Sequence, residues 1–385
     1  MKNRLTLVVL ICALAPIAVF AETLETPAET GIRKARQEIA KRPDHYPYYN
    51  SLAMAYARRA RETSDVTYYQ KAEDTLKQSF AIAPDNFEGQ KVETWLLLGR
   101  HEFAKALDLA TRLNRRTPDD VTVYGYLVDA NAELGNYKEA VAAAQWMLNL
   151  RPGNVAGLTR TAYLRELHGD IEGAVEAMQA AYDATPYQEA EDRAWLLTQM
   201  SHLHLLAGDL KKAEMYASGA MGLFPDYHYA LGVLARIRMA QHRYDEAVLL
   251  LEKRYSAAPH AENLYALADA LRLAGRESEA ARAFARFEQA AVAESALADN
   301  ANHELIAYYA DVAKDPAKAL EIARREIARR HDVGTIDAYA WALAASGDYA
   351  GANTEIRKAL GVGVKDPVIL AHAQAITRGA DSGSR

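Results

Sequence analysis

The sequence predicts an all-α solenoid of about nine helix pairs, closed by one more helix at its C-terminal end. Two observations predict this fold. Prolines recur along the chain at spacings of 41, 34, 34, 34, 39 and 34 residues, and they are Pro43, Pro84, Pro118, Pro152, Pro186, Pro225 and Pro259. A period of about 34 residues is typical of stacked helix–turn–helix units. Between the prolines, apolar residues recur at the spacing of an amphipathic helix.

Residues 121–154 show one complete unit. The stripe of its first helix is Tyr124, Leu127, Val128 and Asn131, and the stripe of its second helix is Tyr137, Ala140, Ala144 and Met147. Gly135 lies between the stripes, where a helix end needs a residue that tolerates positive φ. Ala140 is small, as a close crossing of two helices requires. Pro152 lacks an amide hydrogen and therefore interrupts the helix at the unit boundary.

The same pattern predicts nine units along the chain. They lie near residues 46–84, 87–118, 121–154, 155–186, 194–225, 228–259, 261–292, 300–331 and 333–364. The first unit carries about seven extra residues around Arg61 to Thr67. Ile32 to Arg42 predicts a lone second helix upstream of it. Downstream, residues 367–378 predict a capping helix, and residues 379–385 predict a disordered tail.

These units closely resemble the tetratricopeptide repeat (TPR), and the resemblance covers residues 31–378. It implies a right-handed superhelix whose first helices line a concave groove. It also implies a recognition scaffold rather than a particular activity, because one fold serves many functions.

The N-terminus predicts a secretory signal peptide over residues 1–21. Lys2 and Arg4 precede an uncharged apolar run from Leu5 to Phe20, and cleavage after Ala21 would follow. The rival interpretation is an uncleaved anchor, although 16 apolar residues interrupted by a proline are short for a membrane span. We therefore expect a periplasmic or secreted protein, with no stable membrane span after cleavage.

Composition and motifs disfavour several functions. The chain carries a net charge of −6, and loss of the two positive residues of the signal would give −8. That balance, without a basic block, predicts no nucleic-acid partner. Cys12 is the only cysteine and lies in the signal. His202 and His204 are two residues apart, whereas chelation on a helix needs a spacing of three or four. We expect no catalytic residue, no metal and no cofactor.

The resemblance places a partner-binding groove on the concave face. Its candidate residues are Trp95, Tyr163, Trp195, His202, Tyr229, Arg236, Tyr265, Asp269, Tyr308 and Trp341. Aromatic and arginine side chains dominate interface hot spots, so this set is typical of a peptide-binding groove. The alternative is that the rings pack between adjacent first helices, as in a core. We expect Trp195, Tyr229 and Tyr265 to line one continuous stretch.

The function predicted from the sequence is a non-enzymatic, exported scaffold that holds a protein or peptide partner in the groove. One TPR subclass clamps a partner's terminal carboxylate with Lys and Asn on successive first helices. None of the residues at the ninth position of each unit is Asn, which argues against that clamp. The alternative is a glycan- or small-ligand-binding module in envelope biogenesis that uses the same aromatic groove. An enzyme is the third hypothesis, and it would need a matched nucleophile and base.

Overall fold

The computed structural model describes residues 25–63, 65–295 and 302–383. The predicted signal peptide at residues 1–21 lies outside the described residues. Every regular element in the described ranges is helical. The predicted fold class, an all-α solenoid of nine helix pairs with a capping helix, is confirmed.

The helices alternate between first and second members of a pair. The first helices are α2 (Tyr46–Thr63), α4 (Phe87–Gly99), α6 (Val121–Glu133), α8 (Val155–Leu167), α10 (Ala190–Leu206), α12 (His228–Ala240), α14 (Ala261–Leu273), α16 (His303–Ala307) and α18 (Val333–Ala345). The second helices are α3 (Thr67–Ile82), α5 (Phe103–Arg116), α7 (Tyr137–Leu150), α9 (Ile171–Ala184), α11 (Leu210–Leu223), α13 (Tyr244–Ala257), α15 (Glu277–Glu294), α17 (Pro316–Ile327) and α19 (Tyr349–Val362). Helix α1 (Pro27–Lys41) precedes the pairs, and α20 (Pro367–Gly383) caps them.

Local sequence explains where these helices begin and end. Asn86, Asp120 and Asn154 each cap a first helix, because the side-chain oxygen accepts a hydrogen bond from the amide three residues later. Within a pair, the turn between the helices requires a left-handed residue. Gly135 and Gly169 supply it with φ of 77° and 76°.

Each pair is held together by small residues at the crossing of its two helices. Ala140, Ala174 and Ala213 are each fully buried, as their place in the repeat predicts. Larger side chains such as Met147 and Met178 fill the space between consecutive pairs. The core is therefore a series of apolar clusters along the solenoid, each shared between neighbouring units.

Two first helices are longer than the others. Helix α2 has 18 residues and α10 has 17, whereas α4, α6, α8, α12, α14 and α18 have 13 each. The extra residues around Arg61 extend the end of α2, and those before residue 194 extend the start of α10. The residues that lengthen the proline spacings to 41 and 39 thus form extra helical turns.

The C-terminal units depart from the prediction in two places. The tail was predicted to be disordered from residue 379, but it is helical through Gly383. No glycine or proline lies between Pro367 and Gly379, so nothing interrupts α20 before the tail, and the helix continues beyond Gly379. Helix α16 has only five residues and passes into a π-helical turn at Tyr308–Val312. That turn changes the direction of the side chains that follow Ala307.

Candidate functional site

The solenoid closes on itself through an apolar seam. One buried cluster joins α6, α7 and α8 to α18, α19 and α20, although these groups lie far apart in the sequence. Val128 and Leu167 belong to it from one side, and Val333 and Ile356 from the other. The amide of His331 also donates to the carbonyl oxygen of Glu133 across 3.1 Å. The first helices therefore surround a lumen instead of an open groove.

A second contact crosses the lumen and is polar. It consists of Arg58 and Arg61 on α2 and of Glu189, Glu191 and Asp192 at the start of α10, and we call it the polar clasp. Arg58 donates to Glu189 at 2.7 Å, and Arg61 donates to Glu191 and Asp192 at 2.5 Å each. The clasp joins the two longer first helices, so the two segments with irregular proline spacing are in contact.

Glu191 anchors the clasp in the protein interior. Its side chain is fully buried and accepts a second hydrogen bond from the Tyr227 hydroxyl at 2.7 Å. Burial acts to lower the pKa of Arg61, but the charges of Glu191 and Asp192 outweigh it and raise that pKa above its ordinary value. Arg61 is therefore a permanent cation at the centre of the lumen.

A cavity opens where two neighbouring first helices separate. Helices α2, α4, α6 and α8 pack on one another in order, and α10 packs on α12, but α8 and α10, like α12 and α14, are not in comparable contact. The gap holds a cavity of about 610 Å³, which we call the α8–α10 cavity. Its apolar wall comes from Val155, Ala156, Met178, Pro186 and Leu196, and its polar lining includes Thr159 and Gln199.

Two aromatic side chains face this cavity. Tyr163 lies on α8, and Trp195 lies opposite on α10. Tyr163 keeps 38% of its surface accessible, yet burial raises its pKa well above the usual range. The ring is accessible and its pKa is still raised, because it faces a space that is itself surrounded by protein. An accessible ring in such a space is available for contact with an inserted group.

Charged groups at the cavity are linked in pairs. Arg160 donates to Asp129 at 2.5 Å, and both residues line the cavity. His202 Nε2 lies 2.9 Å from Glu166, while Arg236 lies 3.3 Å from His202 Nδ1. Because a guanidinium can only donate, this arrangement has Nδ1 of His202 accepting from Arg236 and Nε2 donating to Glu166. Glu166 thus contacts the imidazole of His202 at the cavity wall.

A second cavity of about 410 Å³ lies next to the first and shares Arg61 with it. Four histidines line it, namely His101, His228, His260 and His303. Burial, together with the charge of nearby arginines, lowers the pKa of His101 and that of His228 to about 4. These two side chains are therefore neutral near pH 7, and they add polar but uncharged surface there.

Solved structures share this architecture. The chain superposes on a structure of the human IFIT1 dimer with m7Gppp-AAAA with a TM-score of 0.55 and 13% identity, covering 87% of this chain and 86% of that one. It superposes on the APC/C hetero-tetramer Cut9-Hcn1 with a TM-score of 0.52 and 12% identity, covering 91% of this chain and spanning about 60% of that chain's length. No family model and no curated protein sequence matches the chain. Its fold is that of a TPR-type helical repeat protein.

The TPR register places some predicted groove residues in the packing between first helices. Trp95 packs against both apolar clusters that flank α4. Tyr265 lies 5.1 Å from the ring of Phe287 and packs on its cluster, and Tyr229 packs beside the buried Tyr227. At these three positions the rings contact neighbouring apolar side chains, and Tyr229 also lines the second cavity.

Two predicted positions at the C-terminal end need separate mention. Tyr308 was expected in the groove, but it is buried at 8% exposure, and its hydroxyl donates to Glu288 of α15. The π-helical turn that begins at Tyr308 is the reason, because it shifts the helical register at this residue. Trp341 donates to Asp311 and stacks on His372 at 4.2 Å, in a separate depression near α20.

The structure does not bring the predicted set into one continuous stretch. Trp195 lines the α8–α10 cavity, Tyr229 lines the histidine cavity, and Tyr265 lines neither of them. Asp269 is held by Arg272 on its own helix at 2.6 Å. Only Tyr163 and Trp195 of the predicted set line the larger cavity, with His202 and Arg236 linked to its edge through Glu166.

Sequence reasoning missed the residues of the polar clasp. Glu189 and Asp192 lie at the extra turn that begins α10, where the repeat pattern assigns no position, whereas Arg58 is the thirteenth residue of α2 and lies within the regular unit. The irregular spacing of 39 residues was the signal for Glu189 and Asp192. Across the described ranges, no set of three or more His, Cys, Asp or Glu side chains is arranged to hold a metal ion. Nor does any helix there have the length and apolar character of a membrane span.

Proposed function

We propose that the chain is a non-enzymatic scaffold that binds a protein partner by taking one peptide segment into the α8–α10 cavity. The observation that carries the proposal is the separation of α8 from α10, which leaves Tyr163 and Trp195 facing a cavity of about 610 Å³. Sites of this size that combine apolar walls with a few polar groups suit a small inserted segment. The TPR-type fold supports a binding role, since such repeats present extended recognition surfaces.

The lining suits a peptide in several respects. Thr159 and Gln199 can exchange hydrogen bonds with a peptide backbone, which needs both donors and acceptors. Leu196 and Met178 offer an apolar wall for one side chain, and a thioether adapts to several shapes. Trp195 contributes a large rigid contact at low entropic cost, as hot-spot residues do.

The structure of human IFIT1 contains m7Gppp-AAAA, whose phosphate groups do not suit the α8–α10 cavity of this chain. Four carboxylates line the α8–α10 cavity, from Asp129, Glu166, Glu189 and Asp192, against the two guanidinium groups of Arg61 and Arg160. A wall with this charge repels phosphate groups, whose neutralisation dominates the affinity of nucleic-acid binding. The proposal is therefore a polypeptide partner.

We further propose that the protein acts outside the cytoplasm, in the periplasm or after secretion. The support is the three-part N-terminal segment and the expected cleavage after Ala21. N-terminal sequencing of protein recovered from the cell envelope tests this proposal. A chain that begins at Glu22 is expected, and retention of Met1 in a membrane fraction would contradict it.

Purification of the protein with its partner from cell envelopes tests the binding proposal. We expect Tyr163→Ala to lower the recovery of the partner strongly, because it removes the accessible ring of the cavity. The matched control is Trp146→Ala on α7, which removes a ring with 52% exposure outside the cavity. Equal recovery with Tyr163→Ala and wild type would refute the site. Competition by soluble oligosaccharides instead of peptides would support the glycan-binding alternative.

A further inference from the structure

The polar clasp sets a cation of the chain itself against two carboxylates of the α8–α10 cavity. Arg58 Nη2 lies 2.7 Å from Glu189 and 3.4 Å from Asp192, so one guanidinium bridges two carboxylates at the rim. Both carboxylates line the cavity, whereas Arg58 reaches them from α2 on the other side of the lumen. The chain thus places its own cation on the cavity wall.

Charge is not balanced along this wall. Four carboxylates line the cavity against two guanidinium groups, and the chain as a whole carries a net charge of −6. Arg160 is already paired with Asp129, and Arg61 with Glu191 and Asp192. Arg193, the nearby cation of α10, donates to the carbonyl oxygens of Tyr182 and Thr185. Glu189 is therefore neutralised mainly by Arg58.

The contact made by Arg58 can be exchanged. Its side chain is 26% exposed, and those of Glu189 and Asp192 are 37% and 36% exposed, so water reaches all three groups. Ion pairs of this kind contribute little to stability, because solvent screens them and their ordering costs entropy. The apolar cluster around α2 includes no residue of α10, so loss of the pair uncovers no core there.

We infer that the partner's segment carries a cationic side chain beside an apolar one, and that this cation takes the place of Arg58 at Glu189 and Asp192. The inference rests on the proposed function, because it names the chemistry of the segment that enters the cavity. The apolar side chain packs against Trp195 and Leu196, and the cation lies at the rim, where two carboxylates converge. Arg58 then acts as an internal competitor that weakens unsuitable occupants.

Electrostatic complementarity of this kind selects partners more than it adds raw affinity. A neutral or acidic segment would have to leave Arg58 in place and bind beside it. A basic segment replaces one guanidinium by another, so the carboxylates stay paired throughout the exchange. The selection is therefore for arginine or lysine next to an apolar residue, in a polypeptide.

Fluorescence anisotropy with three labelled peptides tests the inference on the full chain. The first peptide has a leucine flanked by arginines, the second has citrulline in place of arginine, and the third has glutamate. Citrulline keeps the shape of arginine without its charge. We expect the arginine peptide to bind about tenfold more tightly than the citrulline peptide, and the glutamate peptide to bind most weakly.

Variants of the clasp supply the second part of the test. Arg58→Gln removes the competitor and should tighten binding of the arginine peptide by about threefold. Glu62, which also lies near Arg58, keeps its contacts with Arg59 and Thr26, so the variant should fold. Combined Glu189→Gln and Asp192→Asn should weaken binding about tenfold. Asp183→Asn, an exposed carboxylate on α9 outside the cavity, is the matched control and should change nothing.

The outcomes separate this inference from the proposed function. Equal binding of the arginine and citrulline peptides, with loss of both in Tyr163→Ala, would leave a peptide cavity but overturn the selection by charge. Weaker binding in Arg58→Gln would show that Arg58 supports the site instead of competing for it, and would also overturn the inference. Failure of the arginine peptide to bind would overturn it as well. Peptide binding that is unchanged in Tyr163→Ala would refute the α8–α10 cavity as the binding site.

Discussion

Arg61 and Glu191 lie 130 residues apart in the sequence, and an N–O contact of 2.5 Å joins them across the lumen. Each belongs to one of the two extra helical turns of the solenoid. The C-terminal units close on units three and four through apolar packing together with an ion pair between Arg330 and Glu133, whereas α2 meets α10 through the polar clasp. Ion pairs thus contribute to both contacts, and the apolar cluster belongs to the first of them.

Breaking the buried part of the clasp should destabilise the protein. Arg61→Met leaves the fully buried Glu191 without its cation, so we expect a loss of about 3 kcal/mol in the free energy of unfolding. Lys77→Ala is the matched control, because Lys77 and its partner Asp74 are both exposed, and it should change stability by less than about 1 kcal/mol. Urea titrations followed by circular dichroism measure both. Equal stability of the two variants would show that the clasp is not part of the folded state.

The contact between the α8–α9 turn and the α19–α20 connection can be tested with two glycines. Gly169 and Gly208 have nearly the same φ, at 76° and 77°. Alanine at either position should cost about 1–2 kcal/mol because of the left-handed backbone. Only at Gly169 would a β-carbon meet the carbonyl oxygen of Gly363, so Gly169→Ala should cost at least about 1 kcal/mol more. Equal thermal shifts would contradict closure of the solenoid at this point.

Stability should depend on the protonation of His228. Burial lowers its folded pKa to about 4, whereas the unfolded value is near 6.5. The unfolded state therefore binds more protons between these values, and stability falls as pH drops from about 6.5 to about 4. His228→Gln should remove up to about 3 kcal/mol of this dependence. Thermal melts of both proteins across this pH range give the difference between their pH dependences of stability. The contributions of groups common to both proteins, such as Glu133, cancel in this difference. Identical pH profiles would contradict the prediction.

The crossing of α8 and α9 should not tolerate a larger side chain. Ala174 is fully buried at this crossing, so Ala174→Leu should overpack it and cost about 1–3 kcal/mol. Ala180→Leu, at an exposed position of the same helix, is the control and should be nearly neutral. Differential scanning calorimetry compares them. A melting temperature unchanged by Ala174→Leu would mean that the helical register is wrong.

The repeat pattern predicted the fold because its signals are local. The stripe around Leu127, the left-handed position at Gly135 and the buried Ala140 all follow from spacing within one unit. The extra residues near Arg61 were visible as a break in the period. Helical character of the tail was missed because its Gly and Ser composition favours disorder, while packing on α18 and α19 supports the helix from which it extends.

The site was harder to predict than the fold. Whether α2 meets α10 depends on the sum of small rotations between successive units, and no single motif records that sum. Of the predicted groove residues, Tyr163 lines the α8–α10 cavity, whereas Tyr308 is buried where a π-helical turn alters the register. The pairing of Arg58 with Glu189 could not be predicted, because Glu189 lies outside the repeat pattern and its partner is on a helix far away in the sequence.

Site-specific photo-crosslinking in living cells tests most directly whether the partner occupies the α8–α10 cavity. A photoreactive amino acid at Gln199, which lines the cavity, should form an adduct with the partner on irradiation. The same residue at Lys138, exposed on the outer helix α7, should not. Tyr163→Ala in the Gln199 background should abolish the adduct. An adduct from position 138 with none from position 199 would contradict the account.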